Sequence, residues 1–272
     1  MKKVILVSLV LALALAFAGC GKTDSAELSA ADRDVMYQVS LLQGLTLGDY
    51  YGSITVEELK QHGDVGIGTF NALNGELIMV DGVVYRAAGD GSVTVVPDDE
   101  TIPFSNVTFM DADLTKELAG ISDYAALCDV LNEIVEARGK NRFYMIRIDG
   151  TFGEMNVRSE YAQEEPYAPL VDVLERDQTF FDYTDIKGTL IGLYCPPYLS
   201  DLNAVGWHLH FVSEDRTQGG HVLGLRVETA TLRLDDTDAF NMVLPQNEMF
   251  AGFDLTVDQT EDIKKVETNT DH

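Results

Sequence analysis

Short apolar runs separated by turn residues make up most of the chain, and they predict more strand than helix. Between residues 65 and 96 the runs are separated by Asn74-Gly75, Asp81-Gly82 and Asp90-Gly91. Type I′ hairpin turns favour Asn-Gly and Asp-Gly, so this region is predicted to be a β-meander. The other predicted strands are residues 106–112, residues 143–148 and 155–158 on either side of Asp149-Gly150, and several runs from 180 to 244.

Helical periodicity is confined to four segments. The clearest is residues 122–138, where apolar side chains repeat at helical spacing and Gly139 ends the pattern. Thr55 and Glu58 have the spacing of a capping box, which predicts a short helix that ends near Gly63. The two remaining predicted helices are residues 170–176 and 260–266.

This order of strands, helix and strands lacks the regular β-α-β alternation of a parallel sheet. It predicts an α+β fold with mixed or antiparallel β-sheets in two subdomains and a few flanking helices. A subdomain boundary is expected near residues 140–168.

The chain is strongly acidic. Its 272 residues include 19 Lys and Arg against 45 Asp and Glu, which gives a formal net charge of −26. This charge argues against nucleic acid as a partner, because contacts with phosphates need a basic surface. Since 46% of the residues are hydrophobic, a disordered chain is excluded and a sizeable core is expected.

The first residues have the features of an export signal. Two lysines precede an apolar run that ends at Phe17 and is short for a membrane span. The run is followed by Ala18-Gly19-Cys20, which resembles a bacterial lipobox, where the cysteine becomes the lipid-bearing first residue. We therefore expect an exported lipoprotein on the outer side of a bacterial membrane, attached only through a lipid at Cys20. Plain secretion is the alternative.

These observations divide the chain into three segments. They are a signal peptide at 1–19, a flexible polar tether at 20–35 and a folded domain at 36–268. Within the domain, Cys128 and Cys195 are expected to be two separate buried thiols, although an exported protein also permits a disulfide between them. Because the sequence has no CxxC pair, neither cysteine indicates a metal or redox motif.

Three of the five histidines lie close together, at positions 208, 210 and 221. Alternation along a predicted strand puts His208 and His210 on one face, and Gly219-Gly220 marks a turn before His221. A returning strand would bring the third imidazole to the same face. Three neutral imidazole nitrogens suit a Zn²⁺ ion with one open position, which is typical of a catalytic site.

Other metal sites are compatible with the same histidines, because imidazole also binds iron, copper and nickel. His208, His210 and Glu214 imitate the first motif of the cupins, which would make an iron or manganese site. The glycine spacing and the second motif of the cupins are missing. A carbonic-anhydrase-like site is a further alternative, without that family's other surroundings.

The segment 206–221, GWHLHFVSEDRTQGGH, resembles the signature of the α-acetolactate decarboxylase family. The resemblance extends over roughly residues 36–268. The other segments that carry it are residues 37–45, 66–76, 81–85, 103–104, 144–152, 157–159, 188–192 and 196–198.

This resemblance implies a reaction and a set of site residues. Family members convert 2-acetolactate, a small anionic 2-hydroxy-3-keto acid, to acetoin and CO₂. The implied zinc ligands are His208, His210 and His221. The implied catalytic residues are Glu76, Arg158 and Glu267, with Arg147 as the competing arginine. The family also suggests a homodimer.

The implied chemistry suits these residue types. Loss of CO₂ leaves an electron pair that moves onto the ketone oxygen and makes an enediolate, which a zinc ion would stabilise. An acid then protonates carbon. The alternative functions are a cupin-like dioxygenase or isomerase and a non-catalytic, surface-tethered binding lipoprotein.

Overall fold

The computed structural model describes residues 33–200 and 202–268. The predicted signal peptide and Cys20 lie outside the described residues. Val35, which the sequence analysis assigns to the tether, already forms part of a strand. In the part of the chain that is described, no helix has the length and apolar character needed to cross a membrane.

Strands from both halves of the chain form a seven-stranded sheet. Its strand order is β14-β1-β8-β3-β4-β5-β6, and every pairing is antiparallel except the parallel pair of β1 and β14. The strands of this sheet are β1 (Val35–Val39), β3 (Val65–Thr69), β4 (Glu76–Val80), β5 (Val83–Ala87), β6 (Val93–Val95), β8 (Phe104–Thr108) and β14 (Ala239–Val243). A small separate pair consists of β2 (Ile54–Thr55) and β7 (Thr101–Ile102).

Five longer strands form a second antiparallel sheet. They are β9 (Leu114–Ile121), β10 (Phe143–Glu160), β11 (Gln178–Cys195), β12 (Gly206–Ser213) and β13 (Gly219–Thr237). Strands β10, β11, β12 and β13 pair in this order, and β13 also pairs with β10, so the four strands form a closed ring. Strand β9 pairs with residues 227–234 of β13. The start of β13 therefore lies next to both β12 and the end of β10.

Besides two short 3₁₀ helices, six α-helices of the described chain flank these sheets. They are α1 (Leu42–Thr46), α2 (Val56–Leu59), α3 (Tyr124–Arg138), α4 (Leu170–Asp177), α5 (Glu248–Gly252) and α6 (Thr260–Thr268). Helix α3 covers the five-stranded sheet, while an apolar layer that includes Ile67, Met145 and Ile191 fills the space between the two sheets. The predicted α+β architecture of mixed and antiparallel sheets with few helices is confirmed.

The β4–β5 turn and the α2 cap follow the local sequence, but Asn74-Gly75 is not the predicted type I′ turn, because Asn74 has a φ of −83°. Asp81 and Gly82 both have positive φ angles, 51° and 74°, as a type I′ turn between β4 and β5 requires. Thr55 caps α2 by accepting a hydrogen bond from the Glu58 amide at 3.2 Å. The helix ends at Leu59, before the predicted end near Gly63, and the strand predicted at 106–112 is β8, which ends at Thr108.

Asp149-Gly150 does not interrupt a strand, and this prediction is wrong. The two residues lie within β10, where Asp149 pairs with Thr189 on one side and Thr231 on the other. Neighbours on both edges override the local turn preference. Gly150 is needed for a different reason, since a Cβ there would lie 2.4 Å from the Ala230 side chain.

The two described cysteines form no disulfide with each other. Cys195 is buried and Cys128 is half-buried. Burial raises the pKa of the Cys195 thiol to about 12 and that of Cys128 to about 11, so both are protonated and unreactive near neutral pH.

Helix α3 offers a test of how the second sheet is stabilised. Leu131 is completely buried in the cluster beneath this helix. We expect Leu131→Ala to lower the free energy of unfolding by about 2–5 kcal/mol, because the truncation leaves a cavity. Urea denaturation would measure the loss. Glu133→Ala, on the exposed face of the same helix, is the matched control and should change stability little; equal effects of both changes would contradict the packing we describe.

Candidate metal and catalytic site

The closure of the five-stranded sheet brings the three histidines together. His208 and His210 lie on one face of β12, and His221 on β13 is the direct cross-strand partner of His210. Gly220 allows β13 to pass close to β10, since a Cβ at this position would lie 2.5 Å from the Arg158 carbonyl oxygen. The Gly219-Gly220 turn signal in the sequence thus marks a close approach between strands.

The three imidazoles converge through one nitrogen each. His208 Nε2 lies 3.0 Å from His210 Nε2 and 3.1 Å from His221 Nδ1. All three side chains are buried, with at most 7% of any residue exposed. Burial lowers the pKa of His208 to about 3 and those of His210 and His221 well below their usual value. The imidazoles are therefore neutral at pH 7, as metal ligands must be.

Hydrogen bonds on the outer side of two rings fix their tautomers. His210 Nδ1 donates to the Leu77 carbonyl oxygen at 2.8 Å, and His221 Nε2 donates to the Glu267 carbonyl oxygen at 3.1 Å. Both rings then direct an unprotonated nitrogen inward. A proton on His208 Nε2 can donate a hydrogen bond to only one of these two nitrogens, so the other is left without a partner. A cation at the centre satisfies all three, and the donor set fits a transition-metal ion.

Two carboxylates reach this cluster from different elements. Glu76, at the start of β4, places Oε2 3.3 Å from His210 Nε2. Glu267, on α6, places Oε2 3.3 Å from His208 Nδ1, without the alignment of a hydrogen bond. Burial raises the pKa of Glu267 to about 7 and that of Glu76 well above its usual value, although Arg158 opposes both shifts. Glu267 can therefore carry a proton near neutral pH, and the pKa of Glu76 is shifted in the same direction.

Arg158 is held on β10 beside His221, its partner in the strand register. Its Nη1 donates to Glu160 Oε1 at 2.8 Å and its Nη2 donates to the Val266 carbonyl oxygen at 2.6 Å. The Nε atom is buried and has no hydrogen-bond partner within the described chain. The Nε–H of this fixed guanidinium is therefore available to a bound molecule.

Arg147, the competing arginine, has partners elsewhere. Its Nε donates to Asp149 at 2.7 Å and its Nη1 donates to Asp81 at 2.6 Å. Neither acid belongs to the histidine cluster. The structure therefore brings Glu76, Arg158, Glu267 and the three histidines together and leaves Arg147 outside the group.

Sequence reasoning missed three contributors to the site. Glu160 is buried and holds the Arg158 guanidinium, while the carbonyl groups of Leu77 and Val266 orient His210 and Arg158. Alternation along the strand places Glu160 on the same face as Arg158, which is a signal that could have revealed it. Because every residue has a backbone carbonyl group, residue identity cannot show which carbonyl groups contribute to a site.

A small pocket next to this cluster has a cavity volume of about 40 Å³. Its apolar wall includes Leu42, Leu45 and Leu170. Its polar wall includes Glu76, Arg158, Glu160, His208, His221 and Glu267. This suits a small molecule with one polar side. Glu214, the ligand that a cupin-like site would use, lies in the exposed turn after β12 and is not part of the histidine group.

Comparison with known proteins gives a consistent picture. Residues 36–257 match the family model described as alpha-acetolactate decarboxylase. The alpha-acetolactate decarboxylase of Methanosarcina mazei is 39% identical over 241 residues, which are 89% of this chain and 83% of that protein. The protein of the same name from Bacillus licheniformis is 39% identical over 217 residues, or 80% of this chain and 85% of that protein.

A solved structure extends the likeness to three dimensions. The crystal structure of alpha-acetolactate decarboxylase from Bacillus subtilis strain 168 superposes with a TM-score of 0.83 at 34% identity, covering 86% of this chain and 99% of that chain. The residues matched by the family model include Glu76, Arg158 and the three histidines, but they end before Glu267.

Proposed function

Because the chain belongs to the alpha-acetolactate decarboxylase family and is therefore a carbon–carbon lyase, we propose that it converts 2-acetolactate to acetoin and CO₂ with one zinc ion. The proposed ligands are His208, His210 and His221. The observation that carries the metal assignment is the inward convergence of three buried nitrogens, two of them with tautomers fixed from outside. Three neutral imidazoles with an open position are typical of catalytic zinc.

The reaction consumes one proton. The carboxylate of 2-acetolactate leaves as CO₂, its bonding electron pair moves through carbon onto the ketone oxygen, and the resulting enediolate is protonated on carbon to give acetoin. A zinc ion, when bound, supplies a fixed positive charge that stabilises an oxyanion. The remaining work falls to the side chains around the pocket.

Arg158 and the two glutamates have distinct parts in this proposal. Arg158 lines the pocket and its buried Nε has no hydrogen-bond partner among the described residues, which supports a role in binding and orienting an oxygen of the anionic substrate. Glu76 and Glu267 have raised pKa values, which supports a role in holding the proton that carbon receives. The apolar side chains on one wall of the pocket limit the access of water from that side.

Acetoin formation tests the proposed function directly. Purified protein loaded with zinc should release CO₂ and acetoin from 2-acetolactate in equal amounts, and metal analysis should find one zinc ion per chain. Retention of iron or manganese instead of zinc, or absence of acetoin formation by the metal-loaded protein, would contradict the proposal.

The carboxyl group of Glu267 can be separated from its backbone contribution. In Glu267→Gln the carbonyl oxygen that accepts from His221 remains, so we expect the zinc content to stay unchanged. The value of kcat/KM should fall by at least about tenfold, since an amide cannot carry the proton. Glu261→Gln, on the exposed part of the same helix, is the matched control and should retain full activity. Full activity of the Glu267 variant would remove this residue from the mechanism.

Export and lipid attachment are a separate part of the proposal. The apolar run that ends at Phe17 and the Ala18-Gly19-Cys20 sequence support cleavage before Cys20 and its modification by lipid. We expect the cell-bound protein to partition into detergent and the Cys20→Ser variant to partition into water with unchanged activity. If mass spectrometry finds Cys20 unmodified, lipid attachment is contradicted and plain secretion is the remaining interpretation.

The homodimer suggested by the family is also a proposal. Light scattering on the purified domain should give twice the mass of one chain, whereas the mass of a single chain would exclude it.

A further inference from the structure

Three aspartates meet where the two sheets join, at the opposite end of β13 from His221. Asp34 lies immediately before β1, Asp111 follows β8, and Asp235 is on β13. Each offers a carboxylate oxygen, and these oxygens all lie within 4.8 Å of one another. The cluster therefore joins two strands of the seven-stranded sheet to one strand of the five-stranded sheet.

Asp235 is the unusual member of this group. It is completely buried, and in the described chain neither carboxylate oxygen has a hydrogen-bond donor. An unpaired buried carboxylate is costly, and proteins normally satisfy it with hydrogen bonds, a basic partner or a metal ion. Burial, with Asp111 beside it, raises the pKa of Asp235 to about 8.

The nearby basic side chains do not meet this need. Arg33 lies 3.9 Å from Asp111 and 3.9 Å from Asp64, and among the described residues no basic side chain forms an ion pair with Asp235. Arg138 and Arg142 pair with Asp236, the next residue on the strand, whose side chain points to the other face. Without a basic partner, Asp235 holds a proton near neutral pH, and a bound cation would displace that proton.

We propose that Asp34, Asp111 and Asp235 bind a calcium ion that ties the two sheets together. Carboxylate oxygens are the ligands that hard divalent cations prefer, in contrast to the imidazole cluster at the other end of β13. Thr237 lies two residues further along the same strand face, and its buried hydroxyl oxygen also lacks a partner among the described residues. Three carboxylates with Asp111 exposed suit a dissociation constant of about 0.1–1 mM.

This site acts on stability and not on the reaction. Its ligands come from the edge of the fold where β1, β8 and β13 meet, and none of them contacts the histidines. Calcium should therefore raise the melting temperature of the zinc-loaded protein while kcat/KM stays the same.

Calorimetric titration of CaCl₂ into the zinc-loaded protein tests the proposal, with buffer freed of calcium on a chelating resin and zinc content measured before and after. We expect one calcium ion per chain and, at 10 mM CaCl₂, a rise in melting temperature of about 2–8 °C over NaCl of equal ionic strength. No binding and no rise would overturn the proposal.

The Asp235→Asn variant makes the test specific. It replaces the buried carboxyl group by an amide of the same size that cannot ionise, so without calcium it should melt at or above the temperature of the unmodified protein, and with calcium it should gain nothing. Asp99→Asn, which removes an exposed acid away from the cluster, should keep the full calcium response. If Asp235→Asn responds to calcium as strongly as the other two proteins, the stabilisation is a general charge effect and the site is disproved. Should Asp235→Asn not fold, Asp111→Asn at the exposed member replaces it, with the same expected loss of response.

Discussion

Replacing His210 by alanine should remove the bound metal and lower kcat/KM by at least about a thousandfold. His210 supplies one of three inward nitrogens, and its other nitrogen is held by the Leu77 carbonyl group at 2.8 Å. Two remaining imidazoles cannot hold the ion as three do. Metal analysis of the purified variant and the acetoin assay would measure both losses.

The control for this change is another histidine. His62 stacks on Tyr37 at a ring distance of 3.8 Å and has no contact with the cluster. His62→Ala should keep its metal and its activity, and circular dichroism should show that both variants remain folded. A His210→Ala protein with full zinc and full turnover would refute the metal assignment.

Arg158→Lys should lower kcat/KM by about a hundredfold and leave the zinc content unchanged. The guanidinium makes two hydrogen bonds, to Glu160 and to the Val266 carbonyl group, that hold its Nε in place. A lysine has no planar fork, so it cannot make both bonds and still present a donor at the same point. A hundredfold fall corresponds to about 2.7 kcal/mol, which lies within the about 1.5–3 kcal/mol expected for one hydrogen bond from a charged donor to the substrate.

Arg147→Lys is the matched comparison. Arg147 pairs with Asp81 and Asp149, so its replacement should cost some stability but change kcat/KM by less than about threefold. If Arg147→Lys is the damaging change and Arg158→Lys is neutral, the assignment of the arginine is wrong.

The sequence predicted those parts of the fold that local chemistry determines. Asp81-Gly82 has the residues that its turn needs, and Thr55 caps α2 with its own side chain. Asp149-Gly150 has equally good turn chemistry but lies inside β10, because pairing with strands on both sides outweighs a local preference. Residues from distant parts of the chain decide such cases, and a local pattern carries no information about them.

The same distinction between local and distant determinants applies to the candidate site. Spacing alone placed His208 and His210 on one face, and the glycine pair suggested the approach of His221. Glu76 and Glu267 lie far away in the chain and reach the site through a different sheet and a helix, so only the family resemblance pointed to them. The carbonyl groups that orient His210, His221 and Arg158 are invisible in any sequence, because every residue has one.

Helix α6 contributes to the site through backbone and side chain at once. The Val266 carbonyl group holds Arg158, the Glu267 carbonyl group holds His221, and the Glu267 carboxyl group faces His208. During synthesis on the ribosome, the strands that carry the histidines emerge well before this helix. A nascent chain thus exposes three histidines whose orientation is incomplete, and we expect tight binding of the proposed metal only after α6 has docked. Binding of the proposed metal would then indicate that α6 has docked, and a chain that lacks this helix would bind the ion weakly.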